Sequence, residues 1–445
     1  MTTSPCAPPF RDWHPILEGE PAERALGVVE EIAGDLRRFA AAPRSSILPA
    51  SWSRLPGGEL SLANGWAGIA LFFAYLDQAW PGRGHDDMAL ELLERAVAGT
   101  GGQTVSPGLY AGFPGVAWVM EHLEGRLLES EPGEDPGEEA AAAVAGHLGP
   151  GPSRRGYDVI SGLAGFGVYA LERSPRPSAR ECLARVVAHL AATAERRPTG
   201  IAWRTPPDWL VEDVLRDRYP QGCFNLGVAH GVPGVIGMLA GACAAGIAEA
   251  RPLAGDAVAW LLTQKHPPGA GSVFPTEAAP TPGGAPEPSS LAWCYGDLGI
   301  AAALLAAARG LGEGGWEREA LELARAAAAR SPEDEEAGDG GDAGLCHGAA
   351  GNGHLFNRLY QATGDLAFAA AARSWLLRAL DKQRAGAPFG GFQTQAIGRQ
   401  GEMGWQDEPG FLTGAAGIGL ALLAATAPVE PAWDRVLLIS PPRSD

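Results

Sequence analysis

Apolar residues fall along the chain in two alternating patterns. In the first, seen in "DMALELLERAV" (87–97), they recur every three or four positions with charges between, the spacing of an amphipathic helix. "PAERALGVVEEIAGDLRRFAAA", "EREALELARAAAAR" and "DLAFAAAARSWLLRALDKQ" read the same way. In the second, runs such as "IALFFAYL", "VAWVMEHL", "VIGMLAGACAAG", "IAAALLAAARGL" and "IGLALLAA" are apolar on nearly every side, which predicts buried helices. The abundance of alanine favours helix throughout.

Each all-apolar run is entered through a Gly-x-x-Gly. The motif occurs seven times, with first glycines at Gly65, Gly112, Gly162, Gly231, Gly296, Gly348 and Gly414. One such motif carries no information. Its return at intervals of 47, 50, 69, 65, 52 and 66 residues marks a helical repeat. The unit reads as an outer amphipathic helix, a glycine turn and an inner apolar helix. Glycine suits the turn because it accepts positive φ and lets backbones approach closely. Seven units predict an all-α fold, an α/α toroid whose inner helices form a barrel. The expected boundaries are 1–20 for an N-terminal lead, 21–430 for a single toroid domain and 431–445 for a C-terminal tail. The long intervals hold insertions. "RPTGIAWRTPPDWLVEDVLRDRYPQGCF" (197–224) predicts a small excursion beside the ring, and "HPPGAGSVFPTEAAPTPGGAPEPSS" (266–290) a Pro/Gly loop. "ESEPGEDPGEE" and "SPEDEEAGDGGD" are expected to be solvated acidic loops.

Composition narrows the class. A chain of 445 residues, 46% hydrophobic, supplies a large core. A net charge of -18 with no basic stripe argues against a nucleic-acid partner. Six cysteines do not make a disulfide framework. The N-terminal "MTTSPCAPPFRDWHP" lacks the basic and apolar regions of a signal peptide, and no apolar run approaches a transmembrane segment. Together these predict a soluble cytoplasmic protein in a reducing compartment.

The chemistry emerges when the copies are aligned on their first glycine. Cys346 lies two residues before Gly348 and His347 one before. Cys294 lies two before Gly296, His230 one before Gly231, and Asp158 four before Gly162. In a closed ring such positions converge on one mouth. A lone Cys or His in an apolar stretch is usually a packing residue; three soft donors in matched positions favour a metal. Two thiolates and an imidazole suit zinc, and three protein ligands leave a fourth position for water or substrate. His230 is the candidate acid/base, and Asp158 either orients it, takes part in catalysis or caps a helix. Tyr295 and Trp293 flank Cys294 as expected pocket wall, and Asn225 is a pocket or turn residue. His354 is expected to be structural. Cys182 and Cys243 read as small hydrophobes, and Cys223 has no partner at a metal-like spacing.

The ordered motifs "NLGVAHG", "WCYGDLG" and "LCHGAAG", set among seven glycine pairs, resemble the lanthionine synthetase C-like proteins, the LanC cyclases, over roughly residues 20–430. The resemblance implies an α/α toroid with one Zn2+ ion per chain, held by Cys294, Cys346 and His347. It implies that His230 and Asp158 are the catalytic histidine and aspartate. The implied reaction closes a thioether ring: a cysteine thiol of a precursor peptide adds to a dehydroalanine or dehydrobutyrine already made in that peptide. The implied partners are a dehydrated precursor peptide with its leader and a separate dehydratase, since only about 20 residues precede the repeat. The 197–224 insertion is the candidate for leader contact. Family members often carry an arginine four residues before the first zinc-ligand cysteine. Here that position is Ser290, so that arginine's role must be filled otherwise.

Three other readings fit parts of the pattern. The same site would serve a zinc-dependent thiol transferase of the glutathione type. A toroid with an acidic exterior would also serve as a non-catalytic peptide-binding scaffold. A glycosidase on an α/α ring wants two carboxylates in its mouth, where only Asp158 is a candidate, and it leaves the Cys/His set unexplained.

Overall fold

The computed structural model describes residues 13–440 except 43–48, 54–55, 103, 132, 150–154, 211–212, 281–286, 336–340 and 398–402. Among the described residues, fourteen helices of ten or more residues alternate between two layers. In chain order they are α1 (Gly19–Ala41), α2 (Trp66–Ala79), α3 (His85–Thr100), α4 (Phe113–Leu123), α5 (Glu138–His147), α6 (Leu163–Arg173) and α7 (Pro177–Thr193). Then come α8 (Val232–Ala244), α9 (Ala250–Leu261), α10 (Asp297–Leu311), α11 (Gly314–Ala328), α12 (Ala349–Thr363), α13 (Leu366–Asp381) and α14 (Ala415–Thr426). The even-numbered helices are the all-apolar runs, and in α14 every residue from Ala415 to Ala425 is buried. The odd-numbered helices bury one stripe, such as Ala25, Val28, Val29, Ile32 and Leu36 of α1.

Each inner helix packs against the next, and α14 returns to α2, so the inner layer is a closed barrel. The chain is an α/α toroid. Its pairing differs from the predicted outer-then-inner unit. Except for α4, which packs slightly more on α3 than on α5, each inner helix packs more on the outer helix that follows it than on the one before, as α2 does on α3 and α12 on α13. Among the described residues no helix of comparable length follows α14, and α1 takes that place. α1 and the segment before it are thus joined to α14. Trp13 Nε1 donates to the Ala424 carbonyl at 2.7 Å, and the Ile16 and Leu17 N–H groups donate to the Ala425 carbonyl at 2.9 and 3.0 Å. Residues 13–18 are therefore a latch rather than a loose lead.

The glycines are required by proximity more than by torsion. Six of the seven first glycines have φ between -102° and -141°, and only Gly296, at +87°, sits where a side chain is strained. The second glycine always lies against the carbonyl six residues back. A Cβ would stand 2.2 Å from Leu62 O at Gly68, 2.0 Å from Leu345 O at Gly351 and 1.8 Å from Phe411 O at Gly417. The loop before each inner helix folds so tightly onto its first turn that no other residue fits.

Those loops join edge to edge around one mouth of the barrel. The residues two before each first glycine form a circle of backbone hydrogen bonds. Ala63 N–H donates to Tyr110 O (2.8 Å), and Tyr110 to Ile160 (3.2 Å). Ala229 donates to Cys294 (3.4 Å), Cys294 to Cys346 (3.2 Å), Cys346 to Leu412 (2.9 Å) and Leu412 back to Ala63 (2.7 Å). Between Ile160 and Ala229 the link comes from the adjacent Val159 N–H, at 3.1 Å. This girdle converts matched positions in the repeat into neighbours in space.

The barrel is filled by the segment after α14. Residues Ala432–Leu437 form a 3-10 turn with Trp433, Asp434 and Val436 buried. Asp434 accepts from His354 Nε2 at 2.7 Å and from Arg358 Nη2 at 3.0 Å, and Trp433 stacks on His354 with centroids 4.6 Å apart. Residues 431–440 are thus a core plug, not the expected tail, because they supply the partners that the polar residues of α12 need inside the ring. His354 has the structural role predicted for it.

The insertion after α7 begins with a hairpin of β1 (Glu195–Arg197) and β2 (Gly200–Ala202). Its Leu210, Tyr219 and Cys223 make a small apolar cluster apart from the main core. β3 (Phe224–Asn225) then pairs with β4 (Glu277–Ala278) of the Pro-rich loop. A last hairpin, β5 (Gln393–Ile397) and β6 (Met403–Asp407), precedes α14. Among the described residues no helix is long and apolar enough to cross a membrane.

Candidate metal centre

Cys294 and Cys346 occupy adjacent stations of the girdle, and the bond between their backbones brings their side chains together. The donor atoms of Cys294, Cys346 and His347 all lie within 4.8 Å of one another. A tetrahedral zinc with bonds of about 2.0–2.3 Å holds its ligands roughly 3.3–3.8 Å apart, so side-chain adjustment alone closes the set around an ion. Cys294 is buried, Cys346 partly so, and His347 forms the exposed edge.

The electrostatics suit a cation. The Cys294 thiol is lowered to about 5, by a hydrogen bond from Cys346 first and, against the cost of burial, by His347 and His230. Cys346 is correspondingly raised by that shared hydrogen bond and by burial. Burial works against a charged His347, but hydrogen bonds and charge from Asp342 and Cys294 outweigh it and lift the imidazole to about 10. The site thus stabilises a thiolate beside a positive charge, and a bound cation would take the place of the proton on His347, because a ligating imidazole must be neutral. Cys294, Cys346 and His347 could hold a metal ion, and two thiols with one imidazole are a donor set that fits zinc.

Ala229 links its backbone to Cys294, and this sets the next residue, His230, at the same mouth. His230 Nδ1 is 2.8 Å from Asp158 Oδ2, and the other carboxylate oxygen, Oδ1, accepts the Ser161 N–H at 2.8 Å. Burial lowers the His230 pKa, but the hydrogen bond and charge of Asp158, with the charge of Cys294, leave it raised overall. Tyr295 lies across from His230 with ring centroids 6.4 Å apart. Its hydroxyl accepts from Asn225 Nδ2 at 3.2 Å, while Asn225 Oδ1 accepts the Gly227 N–H at 2.9 Å. Asn225 is therefore a turn residue that also braces the pocket tyrosine. Burial raises the Tyr295 phenol, which stays protonated.

Trp293 corrects the sequence reading. It is 1% exposed, and its indole N–H donates to the Leu437 carbonyl of the plug at 2.8 Å. Its ring lies 5.7 Å from Tyr110 in the barrel core, so it is not mouth wall. Ser290 is exposed, and the guanidinium beside it, Arg330, is spent on Ser289 O (2.7 Å) and on Glu335. Asp342 was hidden within the acidic run "SPEDEEAGDGGD". It is 3% exposed, and its Oδ2 lies 3.5 Å from His347 Nε2. The signal that would have found it is its place in the repeat, six residues before Gly348, the station whose backbone closes the glycine turn.

A helical ring with a thiolate/imidazole cluster and a His/Asp pair at one mouth defines a toroidal protein with a candidate metal centre. The sequence model described as "Lanthionine synthetase C-like protein" matches residues 57–438, and the chain belongs to that family. Among solved structures, nisin cyclase is similar with a TM-score of 0.69 and 18% identity, covering 93% of this chain and 97% of that one. A sugar epimerase from a ruminal bacterium is similar with a TM-score of 0.48 and 12% identity, covering 90% of this chain and 98% of that one. No curated protein matches.

Proposed function

We propose that this chain is a zinc-dependent lanthionine cyclase. It takes a dehydrated precursor peptide, the product of a separate dehydratase, and closes (methyl)lanthionine rings in it. The observation that carries this reading is the placement of Cys294, Cys346 and His347, within 4.8 Å of one another, at the mouth that also holds the His230–Asp158 pair. Zinc held by those three ligands would supply a Lewis-acid charge that lowers the pKa of a thiol brought to its open position.

The chain's own residues account for the proton. Asp158 engages Nδ1 of His230, which fixes the ring and leaves Nε2 to face the substrate. His230 accepts the proton of the peptide thiol. The sulfur lone pair forms the S–Cβ bond, and the Cα=Cβ electron pair moves to Cα as an enolate. His230 returns the proton to Cα. Nothing is gained or lost, so product and substrate have the same mass. A general base that holds a proton this way works best with a pKa near the working pH, and the Asp158 contact moves His230 in that direction.

The test mixes zinc-loaded protein with a dehydrated peptide that carries one free cysteine, in the presence of glutathione. The expected result is loss of the free thiol at unchanged peptide mass. A mass gain of one glutathione would replace this reading with the thiol transferase. No loss of thiol with the protein folded and zinc-loaded would reject catalysis and leave a scaffold.

A further inference from the structure

The backbone pins Cys346 but leaves the next side chain free to turn. Cys346 N–H is bonded to Leu412 O, and its carbonyl accepts from Trp293 and Cys294. The His347 side chain is 44% exposed, so packing does not choose its rotamer. Asp342 meets it on one edge, with Oδ2 at 3.5 Å from Nε2. That carboxylate is itself immobilised. Oδ1 accepts the Gly344 N–H at 2.9 Å, and Oδ2 accepts the Thr394 hydroxyl at 2.5 Å. Gly348 makes room for it, since a Cβ there would stand 2.5 Å from Oδ1. Thr394 is 3% exposed and sits on β5, in register with Gln406 of β6.

We infer that Asp342, clamped by Thr394 of the β5–β6 hairpin, is the positioning residue that aims His347 at the metal. The inference rests on the metal-centre reading above. With Nε2 facing a fixed carboxylate, Nδ1 is the nitrogen left to bind a metal. A carboxylate behind a ligating imidazole sets its tautomer and orientation and makes it a better donor; removing such a partner usually weakens metal binding 10–100-fold. Thr394 holds Oδ2, the oxygen that faces His347 Nε2. The hairpin is therefore part of the metal centre although it lies some 50 residues from His347 in sequence.

The test compares wild type, Asp342→Asn, Thr394→Val and Thr394→Ser by competition for zinc against a calibrated chelator, with the absorption spectrum of the cobalt(II) form as a second readout. Asp342→Asn preserves side-chain volume should Thr394→Val fail to fold. Asp342→Asn and Thr394→Val should each bind zinc about 10–100-fold more weakly and alter the cobalt d–d bands, and Thr394→Ser should restore both. Wild-type affinity in a folded Thr394→Val or Asp342→Asn protein would overturn the inference while leaving the metal centre intact. Failure of Thr394→Ser to rescue would assign Thr394 to packing and overturn its part. A wild-type protein that binds no zinc would overturn both readings.

Discussion

Replacing Asp158 by Asn removes a charge and one of its two accepting oxygens. The Asn carbonyl can still accept from His230 Nδ1 and hold the imidazole, with the Ser161 N–H losing its acceptor. Asp158 Oδ2 lies 2.8 Å from that nitrogen, and the His230 side chain is 45% exposed. Water-like screening is therefore the right limit. Two unit charges at that distance then attract by about 1.5 kcal/mol, or about one pKa unit. The Asp158 contact raises the His230 pKa, so its loss must lower it. Asp158→Asn should bring the His230 pKa down by about one unit, read from the imidazole carbon resonances across a pH titration. The low-pH limb of the cyclisation pH profile, where His230 loses its proton and becomes able to act as base, should move the same distance toward acid, and the plateau rate should fall because the weaker base accepts the thiol proton less readily. An unchanged or raised His230 pKa would refute the electrostatic coupling. A shifted pKa with an unmoved pH profile would refute His230 as the proton carrier.

Cys294→Ala should reduce zinc content to background and abolish cyclisation together, and full zinc occupancy in that variant would reject the ligand assignment. Asp434→Ala leaves the buried Arg358 guanidinium without its principal partner, which should cost about 3–5 kcal/mol in chemical denaturation. Gly351→Ala forces a Cβ to 2.0 Å from a backbone oxygen and should destabilise by about 1–3 kcal/mol or more, measured the same way. Burial lowers His122 to about 4, from an ordinary value near 6.5. Between those pH values the unfolded chain binds a proton that the folded one refuses. Stability should therefore fall as pH drops through that window, by about 3 kcal/mol from this group, and His122→Gln should flatten that acid limb in urea unfolding.

Much of the architecture was legible because the inner helices announce themselves twice, by all-round apolarity and by the glycine pair. The candidate metal ligands followed from the same register, since Cys294 and Cys346 hold equivalent stations and the girdle makes equivalent stations adjacent. What escaped sequence reading lacks that periodic mark. The pairing of α1 with α14 joins segments from opposite ends of the chain, and no local pattern encodes it. The plug at 431–440 has no glycine pair, so its apolar residues read as a tail although Trp433 and Val436 lie in the core. Asp342 sits at the end of an acidic run whose other members gave it the look of a solvated loop. The need for glycine was foreseen on two grounds, and close approach outweighs torsion: a carbonyl six residues back occupies the space at the second glycine, while φ is ordinary at six of the seven first positions.

The central claim is that a seven-fold ring draws two thiols and one imidazole, distant in sequence, onto a single metal ion. X-ray absorption at the zinc edge of the purified wild-type protein tests it most directly. The account predicts one zinc per chain with two sulfur neighbours at about 2.3 Å and the remaining neighbours nitrogen or oxygen at about 2.0–2.1 Å. Absence of zinc, or a first shell without sulfur, would contradict it.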